Sequence, residues 1–279
     1  MEHVWGAATS AGLRRQINED SYVAAMPIFV VADGMGGHQR GDLASSIAVE
    51  EFARLADLPV VRPEHIDACF HSAAQRLRES LTEGVGGTTV CGVALSLLDG
   101  TPYWLIFNIG DSRAYRLNTA RNIMEQVSVD HSVIQELLDA GVVTPEEAEH
   151  HHERHVITRA LESVNQPDPD YWMIPIDQSD SILLCSDGLC DELTDAEIAR
   201  IWRSGLTPQD SANRLVDAAV AAGGKDNVTA VVVSAEVVGF VSDDVQETTG
   251  SLSRVEVAGE SHVDLQESIE NTTPRAVRS

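Results

Sequence analysis

Four aspartates lie where a run of β-forming residues meets a turn. They are Asp33 after Val30-Val31-Ala32, Asp111 after Ile109-Gly110, Asp187 after Leu184-Cys185-Ser186, and Asp226 in Gly224-Lys225-Asp226-Asn227. Glycine follows Asp33 and Asp187 directly, so backbone and solvent can approach those carboxylates closely. A single Asp-Gly after a strand is more often an ordinary turn. Four such aspartates with few cations nearby favour a second interpretation, a shared site.

That site would bind a hard divalent cation. Carboxylates that converge without basic partners repel one another, and a shared cation neutralises them. Ligand sets made only of oxygen select ions such as Mg²⁺ or Mn²⁺. The acidic pair Glu19-Asp20, which precedes a short predicted strand, adds two further candidate ligands. Spacing alone does not bring these residues together, so the elements that position them matter.

The spacing of apolar residues predicts a mixture of strands and amphipathic helices. Runs of strand length occupy 28–32, 88–98, 103–109, 181–185 and 228–235. Apolar side chains recur every three or four residues in 44–55, 64–81 and 208–222, which predicts helices. Thr144, Thr194 and Thr207 stand where helices should begin. Consecutive strands and paired helices predict one α+β domain over residues 1–238, with helices covering antiparallel sheets.

The remaining residues, 239–279, have a different composition. They contain eight acidic and three basic residues and one aromatic residue. Such a segment buries too little apolar surface to offset the entropy lost on ordering, so we expect a flexible acidic tail.

Charge and cysteine usage exclude several classes of protein. The formal net charge of the 279-residue chain is -25, which disfavours nucleic acid as a partner. The four cysteines form no CxxC pair and do not suggest a disulfide framework. No stretch approaches the roughly 18 apolar residues of a membrane span, and no signal-peptide pattern opens the chain. We therefore expect a cytoplasmic protein.

Eight short segments, in this order, resemble the PPM family of metal-dependent protein phosphatases (type 2C) in its bacterial form. They are Arg15-Gln16-Ile17-Asn18-Glu19-Asp20, Asp33-Gly34-Met35-Gly36-Gly37, Gly87-Thr88-Thr89, Gly110-Asp111-Ser112-Arg113, Asp130-His131-Ser132, Ile157-Thr158-Arg159-Ala160-Leu161, Ser186-Asp187-Gly188-Leu189 and Asp226-Asn227-Val228-Thr229. The resemblance implies a central antiparallel β-sandwich flanked by helices, an αββα arrangement, with the metal site at one edge of the sandwich.

The resemblance also implies a role for each candidate site residue. Asp33 would bridge two Mn²⁺ or Mg²⁺ ions, and the carbonyl of Gly34 would bind one of them. Asp187 and Asp226 would complete the first metal site, while Glu19 and Asp20 would act through water. Asp111 would share a third, weaker ion with Asp187. Arg15 would hold the substrate phosphate, so the implied catalytic residues are Arg15, Asp33, Asp187 and Asp226.

The implied reaction is hydrolysis of phosphoserine and phosphothreonine on proteins by a water between two cations. The substrates would be targets of Ser/Thr kinases or phosphorylated regulators, and the enzyme would be a monomer. Met35 stands where some relatives have a histidine proposed as general acid, so that proton must come from elsewhere. The alternative is a catalytically weak or inactive regulatory module with the same fold. A nuclease is disfavoured because the acidic chain has no basic stripe.

Overall fold

Two antiparallel sheets pack face to face at the centre of the chain, and helices cover their outer faces. The computed structural model describes residues 4–36, 40–80, 86–148 and 150–237, together with the backbone of 275–276. The first sheet has the strand order β1-β12-β11-β7-β8-β13. The second has the order β10-β6-β5-β3-β4-β9, and β2 pairs with β3.

The strands of the first sheet are β1 (Trp5–Ser10), β7 (Arg113–Asn118), β8 (Ile123–Gln126), β11 (Asp180–Cys185), β12 (Val228–Ser234) and β13 (Arg275–Ala276). Those of the second are β2 (Asp20–Ala25), β3 (Ile28–Met35), β4 (Gly87–Thr88), β5 (Val90–Leu98), β6 (Thr101–Ile109), β9 (Leu161–Glu162) and β10 (Asp170–Pro175). The helices are α1 (Gly41–Ala53), α2 (Pro63–Ser80), α3 (Val133–Asp139), α4 (Pro145–Ala148), α5 (Asp187–Cys190), α6 (Asp195–Trp202) and α7 (Pro208–Ala222), with 3-10 turns at Arg54–Asp57 and Ala235–Val237.

Side chains of the central strands alternate between the interior of the sandwich and its outer faces, so the two sheets can pack on each other and on the helices that form the two outer layers. On β3, Phe29 and Val31 pack between the sheets, whereas Ile28 and Val30 pack outward. Because successive side chains of a strand point to opposite faces, one continuous apolar run supplies both layers. Because both faces of the strand are buried, its sequence is apolar throughout and does not alternate between apolar and polar residues.

Each outer layer has its own apolar cluster. Phe52 of α1 and Phe70 of α2 pack against Phe107 of β6, with ring centroids 5.2 and 6.0 Å from that of Phe107. On the other side, helices α5, α6 and α7 cover the first sheet through a second cluster that includes Leu215. The predicted helix starts are present: Thr194 forms a capping box with Glu197, and Thr207 accepts a hydrogen bond from the backbone of Asp210.

The fold is the predicted αββα sandwich. Within the described residues, no helix is both long enough and apolar enough to cross a bilayer. Most of the segment 239–279, for which a flexible tail is predicted, lies outside the described residues. Its described part, β13, pairs antiparallel with β8 through Arg275 opposite Gln126 and Ala276 opposite Glu125.

Candidate metal centre and active site

The predicted aspartates converge because strands of both sheets end at the same edge of the sandwich. Asp33 lies near the end of β3, and Asp187 begins α5 just after β11. An open cleft of about 540 Å³ lies at this edge. Six of the predicted site residues line it: Arg15, Glu19, Asp33, Gly34, Asp187 and Asp226. The remaining two, Asp20 and Asp111, lie behind and beside it.

Asp20 lies directly opposite Asp33 in the antiparallel pair of β2 and β3, and it is buried. Its Oδ2 accepts hydrogen bonds from Ser186 Oγ (2.8 Å) and Thr229 Oγ1 (2.7 Å). Thr229 lies on β12 of the first sheet, and Ser186 lies between β11 of that sheet and α5. Asp20 belongs to the second sheet, so these hydrogen bonds connect the two sheets. Ser186 and Thr229 both belong to segments that carry the family resemblance, but the sequence analysis gave neither hydroxyl a role.

The main chain of Asp33 is fixed by neighbouring threonines. The backbone amide of Asp33 donates to Thr89 Oγ1 (3.0 Å), and its carbonyl accepts from Thr88 Oγ1 (2.8 Å). At the next residue, a Cβ on Gly34 would lie 2.1 Å from the carbonyl oxygen of Gly41. Only glycine therefore allows β3 and α1 to approach so closely at this point.

The carboxylates of this cluster raise one another's pKa. Burial, helped by the charge of Asp187, raises the pKa of Asp20 to about 7. Burial and the charge of Asp191 raise the pKa of Asp187 to about 6, although a hydrogen bond from Asp33 opposes the shift. Burial, with the charges of Asp187 and Asp20, raises the pKa of Asp33 well above its usual value, and burial with Asp187 does so for Asp111.

These residues fit a divalent cation. The Oδ1 atoms of Asp20, Asp111 and Asp187 are all buried and have no hydrogen-bond partner among the described residues. A buried acceptor without a donor costs free energy, and a buried charge without a partner costs more. A cation held by these oxygens would remove both costs and return the pKa values toward the ionised range. The donor set, all carboxylate, is the type that binds Mg²⁺ or Mn²⁺.

Arg15 has a carboxylate partner at the mouth of the cleft. Its Nη2 donates to Asp226 Oδ2 at 2.6 Å, while about half of the Arg15 side chain remains exposed. The hydrogen bond to Asp226 raises the pKa of Arg15. Guanidinium carries five N–H donors, so donors remain for a phosphate in the cleft. The side chain of Asn227 fixes the segment that leads to Glu19. Its Oδ1 accepts a hydrogen bond from the backbone amide of Glu19, and its Nδ2 donates to the carbonyl oxygen of Ile17.

Asp111 lines a neighbouring groove of about 680 Å³ that shares Asp187 with the cleft. Asp111 and Asp187 therefore line one groove. The structure adds two residues that the sequence analysis did not single out as ligands. Ligand atoms of His155, Asp187 and Asp191 all lie within 4.8 Å of one another. The four-residue spacing of Asp187 and Asp191 was the available signal, since it places both on one helical face.

Comparison with known proteins agrees with the fold and identifies the family. The profile of the Protein phosphatase 2C family matches residues 12–222. Serine/threonine phosphatase stp of Listeria innocua is 32% identical over 241 residues, which cover 81% of this chain and 93% of the relative. The crystal structure of Mycobacterium tuberculosis PstP/Ppp, a serine/threonine phosphatase, superposes with a TM-score of 0.75 at 34% identity, covering 82% of this chain and 97% of that one.

A second similar structure contains metal ions. The catalytic domain of the serine/threonine protein phosphatase PstP in complex with two manganese ions has a TM-score of 0.72 at 33% identity, over 82% of this chain and 96% of that one. The fold and the carboxylate centre thus define a metal-dependent protein phosphatase. The chain belongs to the Protein phosphatase 2C family.

Proposed function

We propose that this cleft hydrolyses phosphoserine and phosphothreonine esters of proteins, with Arg15, Asp33, Asp187 and Asp226 as its catalytic residues. The observation that carries the proposal is the convergence of buried, unpartnered carboxylate oxygens beside a half-exposed arginine in an open cleft. The Listeria and Mycobacterium relatives described above are named serine/threonine phosphatases, which supports the choice of substrate.

Asp33, Asp187 and Asp226 would hold two core ions, together with the carbonyl of Gly34. Bound ions of this kind supply charge stabilisation at phosphorus and a more acidic water. Glu19 lines the same cleft, and Asp20 lies buried behind Asp33, so both act on the ion shell from close by. We favour Mn²⁺ or Mg²⁺ because every predicted ligand is an oxygen.

Arg15 binds the phosphate of the substrate and is oriented by Asp226. The guanidinium grips phosphate oxygens bidentately, and the ion pair with Asp226 limits the number of its rotamers. Its contribution is positional as well as electrostatic, since it presents phosphorus to the carboxylate-lined floor of the cleft. Met35 also lines the cleft but has no proton to donate, so it does not protonate the leaving group.

We assign a third, weaker cation to Asp111 and Asp187. The unpartnered Oδ1 of Asp111 and the shared wall of the two cavities support this assignment. Asp111→Asn should reduce turnover while two equivalents of Mn²⁺ still bind in a calorimetric titration. Loss of the first two equivalents would contradict the assignment, because Asp111 would then belong to the core.

The substrates would be targets of Ser/Thr kinases or phosphorylated regulators, because a phosphorylated hydroxyl on a protein must be supplied by a phosphoryl-transfer reaction. We propose that the enzyme acts on them as a monomer in the cytoplasm. All four cysteines are free thiols, in agreement with a reducing compartment. Light scattering of the purified chain tests the monomer directly.

A set of three matched phosphopeptides tests the main proposal. Peptides that differ only in carrying phosphoserine, phosphothreonine or phosphotyrosine are incubated with the protein, with added Mn²⁺ and with chelator. We expect phosphate release from the first two, abolished by the chelator and restored by Mn²⁺. Failure to hydrolyse any of them at saturating metal would favour the alternative, an inactive regulatory module, and full turnover under exhaustive chelation would contradict metal dependence.

A further inference from the structure

Two thiols lie on either side of the residue that begins α5. Cys185 is the last residue of β11 and Cys190 the last residue of α5, and their Sγ atoms are 3.6 Å apart. Between them in the chain stands Asp187. The sulfur atoms of a disulfide are separated by about 2.05 Å, so a closure of about 1.5 Å would join this pair.

The two thiols differ in access. Cys185 is fully buried, whereas Cys190 is partly exposed and lines the groove that also contains Asp111 and Asp187. A small polar oxidant entering the groove therefore meets the sulfur of Cys190 first. The sulfur of Cys185 lies behind it, within reach of a modified Cys190.

Cys190 packs against the apolar cluster that contains Cys185, but its sulfur also has polar neighbours. The hydroxyl of Tyr115 lies 3.5 Å from Cys190 Sγ, and Arg113 Nη1 donates to the same hydroxyl at 3.2 Å. In contrast, Cys91 is buried within the apolar cluster between the sheets, and Cys69 is buried in the outer cluster, where its sulfur donates to the carbonyl oxygen of Glu51 at 3.5 Å. A thiol next to an arginine-supported hydroxyl is placed to react, whereas a thiol surrounded by hydrocarbon is placed to pack.

We propose that Cys185 and Cys190 form a reversible oxidation site for hydroperoxides, in which a disulfide between them weakens metal binding at Asp187. In the first step the sulfur of Cys190 attacks the outer peroxide oxygen. The S–O bond forms as the O–O bond breaks, and the alcohol or water leaves with the thiol proton. In the second step the sulfur of Cys185 attacks that of Cys190, the S–S bond forms, and water leaves. The sum is two thiols and one hydroperoxide giving one disulfide, one alcohol and one water.

The bond would act on the metal centre through a short segment with little room to adjust. Closing the distance between the two sulfurs would pull the end of α5 toward the end of β11, and Asp187, the first residue of α5, would shift with it. Gly188 already packs so tightly that a Cβ there would lie 2.1 Å from the carbonyl oxygen of Asn227. Displacement of Asp187 from this position removes a carboxylate from the ion site, which lowers metal affinity.

The first experiment detects the bond itself in the unaltered protein and does not depend on phosphatase activity. The chain is treated with hydrogen peroxide, the remaining thiols are blocked, and the protein is digested with trypsin. Cys185 and Cys190 are the two cysteines of a single tryptic peptide, 160–200, because no Lys or Arg lies between Ala160 and Ala199. We expect that peptide to lose about 2 Da, with recovery after treatment with a dithiol. A cross-link to the peptide containing Cys91, a gain of oxygen on Cys190 without a disulfide, or no change would overturn the proposal.

The second experiment measures Mn²⁺ affinity by calorimetry before and after oxidation, and it rests on the proposed metal site. We expect at least about a tenfold loss of affinity, reversed by the dithiol. Cys190→Ser should bind Mn²⁺ as the reduced parent does and should not respond to peroxide. Cys91→Ala is the matched control and should respond as the parent does. A disulfide that leaves Mn²⁺ affinity unchanged would overturn the proposal, whereas reduced protein that binds no Mn²⁺ would contradict the proposed function instead.

Discussion

A carboxylate with a buried oxygen lies at each end of β11, and the two have opposite surroundings. Asp180, the first residue of the strand, accepts from Arg116 Nη2 (2.8 Å), Asn118 Nδ2 (2.9 Å) and the backbone amide of Asp177 (3.0 Å). Asp187, just beyond the last residue, has a buried Oδ1 with no partner among the described residues. The neighbours of Asp187 include further acids instead, Asp33 and Asp191.

This difference distinguishes a carboxylate that stabilises the fold, Asp180, from one that is placed to bind a ligand, Asp187. At the Asp180 end, both carboxylate oxygens accept hydrogen bonds within the protein, and the charge is paired with Arg116. At the Asp187 end, the protein keeps several carboxylates close together at a cost to its own stability. A chain that retains such an arrangement gains from it only when a cation is bound.

The largest effect on activity should come from neutralising the aspartate at one end of β11, and the matched substitution at the other end should affect stability instead. Asp187→Asn removes a charged ligand, and we expect activity to fall by about a thousandfold while the metal-free protein becomes no less stable. Asp180→Asn removes the nearer of the two carboxylate partners of Arg116, leaving only Glu125 at 3.5 Å. It should lower the free energy of unfolding by about 3 kcal/mol, with activity retained below the melting temperature. Thermal unfolding and phosphopeptide turnover of both variants decide the matter. Equal loss of activity in both, or marked destabilisation by Asp187→Asn without metal, would remove the distinction.

The sequence was informative where local chemistry determines local structure. The β-branched runs located β3, β5, β6, β11 and β12 closely, because strands buried on both faces require apolar residues at every position. The sequence was less informative for β7, where Arg113 and Arg116 interrupt the apolar residues and pair with carboxylates outside the strand. For such a strand, polar residues are explained only by contacts that the fold creates.

In the site, too, local sequence predicted some features, whereas others depend on contacts between distant residues. The two Asp-Gly pairs indicated carboxylates that line the cleft. The prediction that they form turns after strands was wrong, because β3 continues through Asp33-Gly34 to Met35 and Asp187-Gly188 begins α5. The hydroxyls that support Asp20 could not be foreseen, because Ser186 and Thr229 are 166 and 209 residues away in the chain. The pairing of Arg15 with Asp226 spans 211 residues and was equally invisible. Sequence motifs therefore identified candidate ligands, whereas the groups that orient them came from packing.

The next effect concerns Asp226, which resembles Asp180 in having an arginine partner but lies in the cleft. Arg15→Ala should raise KM by about tenfold or more with a smaller change in kcat, because the guanidinium contacts phosphate before and during reaction. Affinity for Mn²⁺ should not fall, since Asp226 is then free of its competing cation. Arg15→Lys, which keeps charge without the bidentate geometry, should lie between the two. A large loss in kcat alone would show that Arg15 stabilises only the transition state.

A smaller effect should appear in stability against pH. Folding raises the pKa of Asp20 to about 7 and that of Asp187 to about 6, so the folded metal-free protein binds more protons than the unfolded chain. Its stability contribution from these groups is therefore largest at low pH and is lost as pH rises toward about 7. Mn²⁺ must displace those protons, so the rise in melting temperature that it produces should be greater near pH 7.5 than near pH 5. In Asp187→Asn this difference should shrink, and an equal rise at both pH values would argue against a raised pKa in the cluster.

The smallest effect is expected from the acids that belong to neither group, those of the segment 239–279. Eight acidic residues lie there, yet its described part is only the two-residue strand β13, beside the edge strand β8. Two residues of pairing at an edge contribute little, so a chain ending at Val238 should change stability by less than about 0.5 kcal/mol. Its hydrolysis of a small phosphoester should stay within about twofold of the full chain, since the cleft-lining residues all lie before the truncation. Turnover of a phosphoprotein is the sharper readout, because negative charge near the enzyme affects the encounter with a charged substrate. If truncation abolished small-substrate hydrolysis, the acids of this segment would have to be counted with those of the cleft, and the functional boundary at residue 238 would be wrong.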